Sequence, residues 1–114
     1  MNFSNPILIC DDNEEFRVLV RDMLTKNGFF HVVEASTVNE AIDFLRGKND
    51  YLVLVHAGIM TKDLSPYLTK QKDFVIFADN TEAETALLAA RVGVQHIMSY
   101  PFHSRKLINR LAVN

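Results

Sequence analysis

The sequence predicts an α/β fold, a parallel sheet with helices packed on both faces. Three observations carry this. Five short apolar runs of strand length recur along the chain. Segments with helical spacing and capping residues separate them. The third run, Tyr51 to Val55, is apolar at every position, as a central parallel strand buried on both faces must be.

The elements follow in order. Ile7-Leu-Ile-Cys10, after Pro6, is the first buried strand. Asn13 caps the first helix, and Glu14 and Glu15 lie in its first turn, where the positive end of the helix dipole favours acids. Phe16, Leu19, Val20 and Met23 are spaced to form its inward face, and Gly28 ends it. Phe30 to Glu34 is the second strand. Ser36 or Thr37 opens a second helix with Val38, Ala41, Ile42 and Leu45 inward and Gly47 at its end. Gly58 to Lys72 contains Ser65-Pro66 and few apolar residues, so it holds one short helix at most. Phe74 to Ala78 is the fourth strand. Thr81-Glu-Ala-Glu84 is a capping box that opens a helix running to Val92 and closing at Gly93. Gln95 to Ser99 is the fifth strand, and Ser104 to Leu111 a short last helix.

The 114 residues suit a single domain spanning 1–114. Hydrophobic residues make up 48% and charged residues 23%, enough apolar surface for a genuine core. A net charge of −2 with interspersed signs argues against direct nucleic-acid binding or attraction to anionic membranes. The single cysteine, Cys10, sits in an apolar strand and reads as a buried small hydrophobe. No secretory signal or run long enough to span a bilayer is present, so a reducing, cytoplasmic setting is expected. In sheets of this kind, chemistry sits at the carboxyl ends of the strands. The ends that matter are Asp11-Asp12, His56 with Gly58, Ala78-Asp79 and Tyr100-Pro101.

Three segments resemble the receiver domain of bacterial response regulators. Ile7 to Arg17 (ILICDDNEEFR) is similar to that family's opening, an apolar strand running into paired acids and a capped helix. Glu34 to Ile42 (EASTVNEAI) resembles its second strand-to-helix passage. Ala90 to Phe102 (ARVGVQHIMSYPF) resembles its end, where the family usually shows Ala-Gly-Ala and later Lys-Pro-Phe. The resemblance implies a flavodoxin-like doubly wound sheet of order 2-1-3-4-5. It also implies a phosphorylation site, on which this chain departs. Asp11 and Asp12 match the family's Mg²⁺-holding acids. The acceptor aspartate is replaced by His56, the phosphoryl-contacting Ser or Thr by Ala78, the lysine by Tyr100 and the aromatic switch residue by Ile97. The stretch between strands three and four is shorter than usual for the family.

Phosphoryl transfer to a carboxylate needs a hard cation, an in-line oxygen nucleophile and donors for the equatorial oxygens. Imidazole at position 56 removes an anionic ligand and the nucleophile together. Ala78 removes a hydroxyl donor and Tyr100 a fixed positive charge, each typically worth roughly 2–4 kcal/mol in such a transition state. The expectation is a degenerate, pseudo-receiver domain with no catalytic residues, no cofactor and weak or absent Mg²⁺ binding. Its function would be phosphorylation-independent protein–protein interaction in two-component signalling. An imidazolium of His56 relieving the repulsion between Asp11 and Asp12 is the structural expectation for the corner. Two alternatives use the same residues. One is a metal or small-ligand sensor with Asp11, Asp12 and His56 as ligands. The other is a metal-assisted phosphotransfer enzyme. A phosphohistidine relay through His56 lacks both the lysine and the hydroxyl. His31, His96 and His103 are scattered over different elements. The Tyr100-Pro101 bond could be cis, as in relatives with proline there.

The expected partner is a protein. Receiver-like domains often pair through the fourth helix, fifth strand and fifth helix, which makes a homodimer through that face one possibility. On the expected fourth helix, Glu84, Leu88 and Arg91 fall on one outward stripe.

Overall fold

The computed structural model describes residues 5–71, 73–79 and 90–112. Its centre is a five-stranded parallel sheet in the order β2-β1-β3-β4-β5. The strands are β1 (Ile7–Cys10), β2 (Val32–Ala35), β3 (Leu52–His56), β4 (Asp73–Asp79) and β5 (Ile97–Tyr100). The helices are α1 (Glu14–Lys26), α2 (Val38–Leu45), α3 (Ser65–Leu68) and α4 (Ser104–Ala112), with 3₁₀ turns at Ala57–Ile59 and Val94–His96. β1 sits between β2 and β3, pairing Ile9 with Glu34 on one side and Leu54 on the other. β4 pairs His56 with Phe77 and Ala78 with Ser99. Sheet order and helical layers are those expected.

Alternation along the strands builds two cores. Ile7, Ile9, Leu54, Val75 and Phe77 point to one face, where α1 and α4 cover them with Phe16, Val20, Leu24, Leu107 and Leu111. Leu8, Cys10, Val53, Val55 and Ile76 point to the other, against Ala41 and Leu45 of α2 and Leu64 and Leu68 around α3. β1 and β3 are buried along nearly their whole length because both faces are covered.

Local chemistry sets the helix ends. Asn13 accepts the Phe16 N–H to cap α1. Thr37 caps α2 by accepting from the Glu40 N–H, and the Glu40 carboxylate returns to accept from Ser36, completing a reciprocal cap. Those bonds hold the Glu40 carboxyl below the usual carboxylate range. Gly28 ends α1 at φ 91°, a left-handed backbone that a side chain would strain.

Several boundaries and faces differ from expectation. Leu19 is 43% exposed, and Leu24 takes the buried place beside Phe16 and Val20. The inward face of α1 follows the i, i+4, i+8 row, so Leu19 and Met23 lie off its axis. β2 starts at Val32, and Phe30 is exposed because it lies in the turn after Gly28. β4 reaches from Asp73 to Asp79, and β5 starts at Ile97 after a 3₁₀ turn that takes up Gln95 and His96. The short span between β3 and β4 holds a 3₁₀ turn and one turn of helix. Of the expected fourth helix, only residues 90–92 are described, and they are helical. Thr81, Glu84 and Leu88 lie outside the described residues.

At the amino-terminal end of β4, Arg110 of α4 grips Asp73 with two hydrogen bonds of 2.8 and 3.0 Å. The same guanidinium donates to the Gln95 carbonyl. His96 stacks flat on Phe74 with ring centroids 4.0 Å apart, and its Nδ1 lies 2.8 Å from the Phe74 carbonyl and 3.5 Å from Asp73. Burial pushes the Asp73 carboxyl up, but Arg110 outweighs it and holds the group below the usual carboxylate range. This clasp lies at the opposite end of the sheet from the candidate site.

Candidate functional site

Three strands deliver the site. β1 runs out into Asp11 and Asp12, β3 ends at His56, and β5 ends at Tyr100, before a cis bond to Pro101. These residues, with Asn13, Glu15, Phe16 and Leu19 from the start of α1, line an open cleft of roughly 520 Å³.

Asp11 and Asp12 leave β1 side by side, and their carboxyl groups meet in this cleft. Asp11 is 2% exposed, whereas Asp12 is exposed. The Asn13 N–H donates to Asp11 Oδ1 at 3.0 Å, and Arg17 donates to the Asp11 main-chain carbonyl at 2.6 Å. Arg17 also pairs with Glu34 of β2, which ties α1 to the edge of the sheet. Burial raises the Asp11 carboxyl above the usual range. The Asn13 N–H and the field of His56 pull it down, while Asp12 pushes it further up. Cys10, one residue before, is buried, and its thiol is pushed up to about 12 by desolvation and then by Asp11. It stays protonated and unreactive near neutrality.

His56 is held from below. Its Nδ1 accepts the Gly58 N–H at 3.0 Å. A Cβ on residue 58 would come within 3.0 Å of that same nitrogen, so glycine is what admits the close approach. Asp11 and His56 lie within electrostatic reach.

The rest of the corner is aromatic. Phe16 contacts His56, Phe77 and Tyr100 edge to face, with ring centroids 6.1, 5.4 and 5.2 Å away. Phe102 stacks on Phe77 and meets Tyr100 edge-on. Tyr100 is therefore packed into a ring cluster where the family pattern has a lysine. Ala78 is 1% exposed on β4 and presents only a methyl group. Ile97 is half-buried opposite Ile76 and is not among the residues lining the cleft. Arg91 is exposed. Among the described residues, no group of three or more His, Cys, Asp and Glu side chains converges to hold a metal ion. Asp11, Asp12 and His56 are thus brought to one cleft without forming a three-ligand set.

Sequence reasoning missed Glu15 and Leu19 as cleft residues and Arg17 as the support of Asp11. Glu15 and Leu19 are four apart on α1, a spacing that put them on one face in principle. The Arg17–Glu34 pair joins residues far apart in sequence and carried no local signal.

A doubly wound sheet of order 2-1-3-4-5, with acids at the end of β1, is the fold of response-regulator receiver domains. The structure is similar to a response regulator receiver protein from Sinorhizobium medicae WSM419, with a TM-score of 0.74 and 21% identity over 97% of this chain and 94% of that one. It is similar to the chemotaxis response regulator CheY4 of Vibrio cholerae, with a TM-score of 0.70 and 21% identity over 94% and 95% of the two chains. A response regulator receiver domain protein from Clostridium thermocellum gives a TM-score of 0.73 at 16% identity over 94% and 90%. No protein-family model and no curated protein matches the chain.

Proposed function

We propose that the chain is a degenerate receiver domain of a bacterial two-component system, acting in the cytoplasm by phosphorylation-independent protein–protein interaction. The observation that carries this is His56 at the end of β3, with Nδ1 committed to the Gly58 N–H. The position where receiver chemistry needs a carboxylate oxygen offers an imidazole whose Nδ1 is already engaged by backbone. Tyr100, locked among Phe16 and Phe102, adds an aromatic group where that chemistry needs a cation.

Mg²⁺ fits this donor set poorly. It demands near-octahedral oxygen ligation. Asp11 spends one oxygen on the Asn13 N–H, and the third position is nitrogen. Weak or absent Mg²⁺ binding, and no enzymatic activity, follow from the reading. The metal-sensor alternative is less well supported, because the three side chains do not converge as ligands.

The test is a thermal-shift series with Mg²⁺ plus beryllofluoride, a phosphoryl mimic, then Mn²⁺, Ni²⁺ and Zn²⁺, on the wild type and His56→Ala. No shift with any addition is expected. A beryllofluoride-dependent shift would overturn the reading. A transition-metal shift abolished by His56→Ala would put the sensor first.

A further inference from the structure

The end of the sheet that carries His56 is bipolar. α1 and α4 lie on one sheet face and share a core. Each follows directly on a strand, so both helix N-termini lie at the strands' carboxyl end. The first turn of α1 carries Glu14 and Glu15, and with Asp12 these are exposed. The first turn of α4 carries no acid. It carries Arg105 and Lys106, which with His103 and Asn109 line an open groove of roughly 640 Å³. The aromatic pair Tyr100 and Phe102 joins the two patches, Tyr100 lining the acidic cleft and Phe102 preceding His103.

The acids sit where the helix dipole favours them, and the bases sit where it opposes them. Among the described residues, no ion pair engages Arg105 or Lys106. Two unpaired cations at the positive end of a helix run against the local rule for stability, a pattern expected at surfaces kept for a purpose.

We propose that this face pairs with the same face of a second copy of the chain about a two-fold axis. Arg105 and Lys106 of each copy seat against Asp12 and Glu15 of the other, with Tyr100 and Leu19 near the axis. Every contact in a two-fold interface occurs twice, so neighbouring patches of opposite sign are self-complementary. A uniformly acidic or basic partner would meet a like-charged patch beside the complementary one, which disfavours it. The inference rests on the proposed reading of the chain as an interaction domain without phosphorylation chemistry, because the contact covers His56.

The experiment is sedimentation velocity on the full chain over a range of concentration and salt. A concentration-dependent dimer is expected at low ionic strength, lost near about 0.5 M salt, where screening is short-ranged. The double variants Arg105→Glu/Lys106→Glu and Asp12→Lys/Glu15→Lys should each weaken self-association by roughly tenfold or more. Mixed in equal amounts they should form a heterodimer. A wild type that stays monomeric throughout overturns the proposal, as does a dimer that neither reversal weakens. If a variant fails to fold by circular dichroism, the salt response of the wild type decides. The beryllofluoride series separates the two claims. A monomer without a beryllofluoride shift removes the dimer alone, whereas a beryllofluoride shift removes the reading beneath it.

Discussion

At the scale of single residues, Asp11 controls the chemistry of the corner. Its carboxyl is buried, and its proton affinity in the folded state is raised above that of the unfolded chain. The ionised form is therefore disfavoured by folding. Above the raised folded value the group costs stability. The cost fades as pH falls through that value and is gone below the ordinary carboxylate range. Asp11→Asn keeps an oxygen for the Asn13 N–H and removes the charge. It should stabilise the protein near neutrality by about 1 kcal/mol, a shift of a few degrees in Tm. Thermal melts from neutral to acid pH check this, with the gap between variant and wild type closing in acid. An equal Tm at neutral pH would mean that the charge is compensated in the fold. His56 shows what sequence could and could not convey at this scale. Its place at the strand end was legible because β3 is one unbroken apolar run. The contact of its Nδ1 with the Gly58 N–H was not, because that depends on the backbone turn after the strand.

At the scale of elements, the clasp between β4, the 3₁₀ turn and α4 joins segments that no local pattern connects. Asp73, Gln95 and Arg110 are widely spaced in sequence, and nothing in their surroundings marks them as partners. The sheet order was legible for the opposite reason, since strand period and capping signals are local and right-handed crossovers leave few topologies. The exposure of Leu19 was misread because apolar spacing at i+3 and i+4 admits two neighbouring faces, and packing chose the i+4 row. Arg110→Ala leaves the Asp73 carboxylate partly buried without its main partner. Hydrogen bonds to charged groups are each worth roughly 1.5–3 kcal/mol, so a loss of about 2 kcal/mol is expected. The Asp73 carboxyl is held low in the folded state, so this stabilisation is present above the ordinary carboxylate range and lost as pH falls through the depressed value. Urea denaturation at neutral and acid pH should show the variant's deficit shrinking in acid. A deficit independent of pH would assign it to lost side-chain packing.

At the scale of the whole molecule, the sheet divides the apolar residues into two layers covered by different parts of the chain. One layer is roofed by α2 and α3 and the other by α1 and α4. Leu107 and Leu111, both fully buried, are the share of α4 in that second layer. Leu107→Ala should cost about 2–5 kcal/mol, a large part of the total stability of a domain of this size. Denaturation followed by circular dichroism and by tyrosine fluorescence checks it. Coincident transitions at lower denaturant are expected, whereas a loss confined to one probe would mean that the two layers unfold separately.

The division of the two layers also has a consequence for synthesis. α1 is synthesised well before α4, the helix that shares its core. Phe16, Val20 and Leu24 thus wait without their final neighbours while the residues between the two helices are made. The layer under α2 and α3 meets its partners sooner and is the natural place for folding to begin. In the interval, the apolar row of α1 is the segment most open to a nascent-chain chaperone.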